Sequence, residues 1–325
     1  MVTSAFIGLQ NERLKIEIAK PGTVYAGSRF DWTGFITQVY LDGKHTFCAY
    51  EDRVPGNGSG GIGICNDFGL NKPIGYDEAA VGEDYLKVAL GNVKKLDAPK
   101  PYIHMVGHEI TEKATITWEN DATSVCFHAV NPDCRGYRTD LKKKISIDGN
   151  QLRIDYTLKN IGEKTIDTEE YTHNFLAIDG KPLGKGYQVD VAFEADDKGR
   201  AELGGMMAMV PMMMPGIKAG MHRDVLTLGA EDCGMALEDH RLSFGDEVIG
   251  QYYARGNTVD NSGAHFRLTE LSSGAYVEEE DSFDAPYMAL WGTVDCIAIE
   301  AFHDLTLLPG EETSWSRTYT FDIKK

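Results

Sequence analysis

Along most of this chain hydrophobic and polar residues alternate one by one, in runs of roughly four to eight residues bounded by turn formers. Successive side chains of a strand point to opposite faces, so this two-residue period reads as half-buried β-strand. It predicts strands over Arg13 to Ile18, Phe35 to Tyr40, Ala114 to Trp118, Ser124 to Val130, Leu141 to Ile147, Leu152 to Leu158 and Tyr187 to Phe193. Further strands are predicted over Val225 to Leu228, Cys233 to Leu237, His265 to Leu268, Tyr287 to Trp291, Ile297 to Phe302 and Ser314 to Phe321. Asp42-Gly43, Asn120-Asp121 and Asp148-Gly149-Asn150 supply the turn chemistry between neighbours. No stretch longer than about ten residues shows a helical period, and no Gly/Ser- or Pro-rich linker divides the chain. The expected fold is all-β: a large antiparallel β-sandwich with long loops, formed by residues 1–325 as a single domain.

Two stretches break the pattern. Arg53 to Gly75 is glycine-rich, but it lacks the Gly-Lys-Ser/Thr ending of a phosphate loop and no helical pattern follows it. Its glycines are expected to let the backbone bend close to a ligand or to another strand. Gly204 to His222 holds seven of the eleven methionines: Met206, Met207, Met209, Met212, Met213, Met214 and Met221. Thioethers bind Cu(I), but no other soft-ligand motif stands nearby. The stretch reads as a flexible apolar loop that fills a gap or covers a pocket.

Composition narrows the chemistry. A net charge of −18 argues against nucleic acid or an anionic membrane as partner. It fits a protein acting on a neutral or weakly charged small molecule. The six cysteines include no CxxC pair and read as free thiols in a reducing cytosol. The first twenty residues lack a basic region followed by an apolar run, so no signal peptide or membrane span is expected. His222, His240 and His265 have no metal-ligand spacing, and no nucleotide-loop or nucleophile-elbow motif is present. No metal and no cofactor is expected. The run Lys142-Lys143-Lys144 reads as the solvated face of a strand.

The most telling residues are a histidine and a glutamate far apart in the chain. His173 stands in Tyr171-Thr172-His173-Asn174-Phe175-Leu176, after the Leu141 to Leu158 hairpin. Glu300 stands in Cys296-Ile-Ala-Ile-Glu300-Ala-Phe302, followed by Leu308-Pro309-Gly310-Glu311 and a closing strand. With Ser273-Gly274 and Tyr287 to Trp291, this order resembles the aldose 1-epimerase (galactose mutarotase-like) superfamily. The resemblance implies a β-sandwich, a sugar substrate and ring opening by acid/base catalysis, with His173 as general acid and Glu300 as base. Gly60 to Gly69 is similar to a segment of the glucose-6-phosphate 1-epimerase branch. Ser59 stands where that branch carries an arginine, which counts against a phosphosugar.

Chemistry gives independent grounds for the pair. Histidine donates protons near neutral pH, and a glutamate among Ile297, Ile299 and Phe302 would be buried, which is rare without a partner or a function. Further candidates for holding a sugar are Asn174, Arg29, Asn66, Asp67, His104, His108, Trp291 and His303. Arg29 could pair hydroxyls, a carboxylate or a structural aspartate. Asn66 and Asp67 sit at a glycine bend, and Trp291 offers a stacking face or core packing. Two other readings remain open: a sugar-binding protein without catalysis, and a glycoside hydrolase or lyase. A hydrolase would pair Glu300 with a second carboxylate such as Asp67, Glu169 or Glu170.

Overall fold

The computed structural model describes residues 4–51, 59–97, 102, 104, 106–195, 225–227, 235–238, 240–245, 251–258 and 265–324. The methionine-rich stretch, Cys233 and residues 52–58 lie outside them. The described residues form two large sheets and one small one.

The first sheet runs, in spatial order, through Phe6–Gln10, Leu14–Ala19, Phe35–Leu41, Ile64–Phe68, Ile166–Asn174, Ile297–Leu307, Met288–Gly292, Gln251–Thr258 and Phe193–Ala195. Two short strands, His45–Thr46 and Val225–Thr227, pair onto it. The second runs through Met235–Glu238, Arg241–Phe244, Tyr187–Val191, His265–Glu270, Ala275–Asp281, Glu312–Ile323, Gln151–Asn160, Thr139–Asp148, Ser124–Val130 and Thr115–Asn120. The pairing is antiparallel except where Val225–Thr227 runs parallel to Gln251–Thr258. Asp84–Lys87, Gly91–Lys94 and Ile110–Lys113 make the small third sheet.

Local sequence explains the hairpins. Thr139–Asp148 and Gln151–Asn160 alternate strictly between buried and outward residues, and Gly149 turns between them at φ 53°. The inward residues of both large sheets, among them Ile16, Val39, Leu290, Ile145, Leu152 and Tyr319, form one continuous hydrophobic core.

Alternation reads most of the second sheet but passes over Arg241–Phe244 and Ala275–Asp281 there, and it misses more of the first, including Phe6–Gln10, Ile64–Phe68 and Ile166–Asn174. Ile64–Phe68 lies in the stretch expected to be irregular, yet all five residues are buried and the strand is central. Strands covered on both faces lose the alternation that would reveal them. The glycines beside it do admit another strand. Gly63 sits at φ 58°, and a Cβ there would lie 2.2 Å from the Ile36 carbonyl oxygen.

The lysine run also needs correction. Lys142 and Lys144 point outward, but Lys143 takes the inward position and is 1% exposed. Its ammonium pairs with Asp31 and donates to Asn66 Oδ1 and the Thr33 carbonyl, both at 2.9 Å. A second buried polar group lies between the sheets, where Arg317 meets Glu170 at 2.8 Å, Asp281 at 2.9 Å and Glu279 at 3.2 Å. Breaking one partner of such a group strands the others. Lys143→Met should therefore cost about 3–5 kcal/mol of stability, read as a lower urea midpoint. An unchanged midpoint would mean the lysine is dispensable to the core.

Candidate active site

Three neighbouring strands build the site. Ile166–Asn174 lies between Ile64–Phe68 and Ile297–Leu307, with Tyr171 opposite both Asp67 and Phe302, and His173 opposite Cys65. Counting on two positions from Tyr171↔Phe302 brings His173 opposite Glu300. Their side chains share one face, and His173 Nε2 lies 3.1 Å from Glu300 Oε1. His173 is 4% exposed and Glu300 5%.

Aromatic rings fix the imidazole. Phe175 stacks on it at 3.9 Å between centroids, Phe30 meets it edge-on at 5.9 Å and Trp291 edge-on at 5.6 Å. His173 Nδ1 is buried and has no hydrogen-bond partner among the described residues. Leaving such an atom unpaired costs about 1–3 kcal/mol, which marks it as a place for a ligand group.

Charged groups flank the pair. Arg29 donates from Nε to Asp67 Oδ2 at 3.2 Å, from Nη1 to Ser59 Oγ at 2.8 Å and from Nη2 to the Tyr171 hydroxyl at 2.8 Å. Lys87 donates to Asp67 Oδ1 at 2.6 Å and to the Phe68 carbonyl at 2.5 Å. Burial pushes the Glu300 carboxyl up to about 8, opposed by Arg29 and aided by Asp67. Burial, with the charges of Arg29 and His104, pushes His173 well below the ordinary imidazole range. Both shifts favour the uncharged forms, a protonated Glu300 beside a neutral His173.

The structure thus gathers His173, Glu300, Arg29, Asp67 and Trp291. His104 is half-buried and close enough for its charge to act on His173, while its own pKa is held well below normal by desolvation, Arg29 and Lys87. Three other candidates point to the opposite face, into the space between the sheets, because they stand an odd number of residues from a site residue. Asn66 accepts from Lys143 Nζ at 2.9 Å and the Tyr156 hydroxyl at 3.0 Å. Asn174 donates to Glu279 Oε2 at 2.7 Å. His303 stacks on Phe283 at 4.2 Å, and burial pushes its pKa down to about 4. His108 packs instead beside Tyr85 and Tyr102, with its backbone N–H on Ser28 Oγ at 2.8 Å.

Tyr171, Phe175 and Lys87 line the candidate site and carry no expectation from the sequence. Tyr171 and Phe175 stand two residues either side of His173, and that spacing was the available signal. Lys87 lies in a stretch where no strand was predicted. Among the described residues one group has metal-ligand chemistry at close range: His265, Glu278 and Glu280, on the second sheet. Arg267 already donates to Glu278 there at 2.7 Å.

No family model and no curated protein matches the sequence. Solved structures do match. The Slr1438 protein of Synechocystis sp. PCC 6803 aligns with TM-score 0.57 at 10% identity, over 100% of this chain and 99% of that one. A galactose mutarotase related enzyme of Lactobacillus acidophilus aligns with TM-score 0.56 at 12% identity, over 98% and 100%. The fold is galactose mutarotase-like. A GalM/aldose epimerase homologue of C. elegans, with TM-score 0.51 at 14% identity over 99% and 100%, shares the galactose mutarotase-like fold. Identities this low establish architecture and leave chemistry to the residues.

The raised carboxyl has a thermodynamic consequence. Folded protein keeps a proton on Glu300 that the unfolded chain releases at the ordinary 4.5, so stability falls as pH rises from there to about 8. Glu300→Gln lacks this slope. It should match wild type near about pH 4 and exceed it above about pH 8 in urea unfolding. An equal difference at both pH values would show that Glu300 is not held protonated.

Proposed function

We propose that this protein interconverts the anomers of a sugar by acid/base ring opening, as an aldose 1-epimerase does. The observation that carries the reading is the His173–Glu300 pair: two groups able to pass protons, both buried and 3.1 Å apart.

Mutarotation needs a base to take the anomeric hydroxyl proton and an acid to protonate the ring oxygen as its bond to C1 breaks. Rotation about C1–C2 and closure from the other side return both protons with the roles exchanged. A protonated carboxyl beside a neutral imidazole suits this. The family resemblance assigns His173 as acid and Glu300 as base. Burial sets the opposite starting state, with the proton on Glu300. From that state opening runs with Glu300 as acid toward the ring oxygen and His173 as base toward the anomeric hydroxyl, and closing returns both protons. Arg29, His104 and Trp291 would hold the sugar against the pair, with Asp67 fixing Arg29.

The engagement of the other carboxylates weighs against hydrolysis. Asp67 is taken by Arg29, Lys87 and Tyr171, Glu169 accepts the Asn71 and Lys72 amides, and Glu170 binds Arg317. None of these three is left to pair with Glu300 across a glycosidic bond.

Polarimetry of freshly dissolved α-glucose, α-galactose and related aldoses tests the reading. Wild type should accelerate at least one of them, and Glu300→Gln and His173→Ala should each cut turnover by about 10²–10⁴-fold while staying folded. No acceleration of any aldose would sink it. The rate should hold through neutral pH and fall above about pH 8, where the pair loses its proton. An alkaline limb that is absent would take the proton off Glu300.

A further inference from the structure

The strands carrying His173 and Glu300 are neighbours, but they are not hydrogen-bonded along their whole length. Their ladder runs from Ile166↔Leu307 to Tyr171↔Phe302 and stops. It resumes as a single bridge, Leu176↔Ile297, whose two N–H···O bonds both measure 2.9 Å. The number of residues between those points is the same on both strands, so this is a parting of paired strands and not a bulge. His173 and Glu300 sit in the parted stretch. Each strand is still held on its far side, Ile166–Asn174 by Ile64–Phe68 and Ile297–Leu307 by Met288–Gly292.

Parting leaves buried carbonyls without their ladder partners, and such groups must be satisfied elsewhere. Two side chains from the intersheet space do this on either side of Glu300. Asn174 Nδ2 donates to the Ile299 carbonyl at 2.8 Å. Arg317 Nη2 donates to the Ala301 carbonyl at 3.1 Å. The Asn174 amide is oriented by its surroundings: Glu279 Oε2 accepts from the same Nδ2 at 2.7 Å, and the Tyr319 hydroxyl donates to Oδ1 at 3.0 Å. Asn174 is wholly buried and adjoins His173 in the chain, so one residue ties the backbone beside the imidazole to the backbone beside the carboxylate.

We propose that Asn174 is a positioning residue: its side-chain amide replaces a missing rung between the two strands and sets the separation of Glu300 from His173. It never touches the substrate face. The inference rests on the functional reading above only for its kinetic arm. A misplacement of about 1 Å at a reacting pair can cost about 10²-fold, so the device matters to the chemistry.

The test substitutes Asn174→Leu, which keeps volume and removes the amide. The Glu300 carboxyl is followed by ¹³C NMR titration and assigned with Glu300→Gln. The titratable and charged groups facing Glu300 are His173 and Tyr171 from the adjacent strand, Asp67 from the next, and Arg29. All of them are kept. With the rung lost the carboxyl relaxes toward water, and its midpoint should drop by about one pH unit or more. Turnover should fall about 10- to 100-fold with KM changed less than about threefold. A folded Asn174→Leu protein with an unmoved midpoint overturns the proposal, as does unchanged turnover in a variant of an active wild type. If Asn174→Leu does not fold, Tyr319→Phe removes only the hydroxyl that orients the amide. It should lower the midpoint in the same direction by less, and an unmoved midpoint again overturns the proposal. If wild type accelerates no aldose, the functional reading falls alone, and the titration still decides the role of Asn174.

Discussion

A strand offers its side chains two directions only, and the whole molecule turns on how one strand divides them. Ile166–Asn174 sends Tyr171 and His173 to one face, and Glu170, Thr172 and Asn174 to the other. The first set makes the candidate site with Glu300, Arg29 and Asp67. The second makes the polar interior between the sheets, with Arg317, Glu279 and Asn66. A register slip of one residue would exchange the two sets, placing a histidine among carboxylates and an asparagine beside Glu300. Site and core are therefore a single commitment of the backbone.

That commitment explains why so many charges are buried. An isolated buried ion is prohibitive, so each here is shared: Arg317 among three carboxylates, Asp67 between Arg29 and Lys87, Lys143 with Asp31 and Asn66. Glu300 has His173 as its ion-pair partner and touches no lysine or arginine among the described residues. Its neighbours Asp67 and Arg29 act in opposite senses, and desolvation decides the outcome by keeping the proton on. Burial thus favours a protonated carboxyl against a neutral imidazole.

Legibility followed exposure only in part, since Phe6–Gln10 and Arg241–Phe244 alternate strictly and were passed over. Leu141 to Ile147 and Leu152 to Leu158 were readable because their outer faces meet water, so polarity alternates. Ile64–Phe68 was not, because both its faces are covered and its residues include Asn66 and Asp67. Those two were grouped as neighbours at a bend; as consecutive strand residues they serve opposite faces. The same parity separates Asn174 from His173, and His303 from Glu300. His173 and Glu300 themselves were named through the order of their motifs, while their contact depends on a pairing between strands that no local pattern encodes. Lys143 shows the reverse error, where a run of like charge concealed a strict alternation.

Gly61 lies close against the ring that stacks on His173: a Cβ there would fall 2.0 Å from Phe175 Cε2. The imidazole's seat is thus shaped partly by an atom that is missing. Positions 61 and 175 are in consequence bound together in any history of this chain. A methyl at one can be accepted only alongside a smaller residue at the other, so the two are expected to change jointly or to stay as they are.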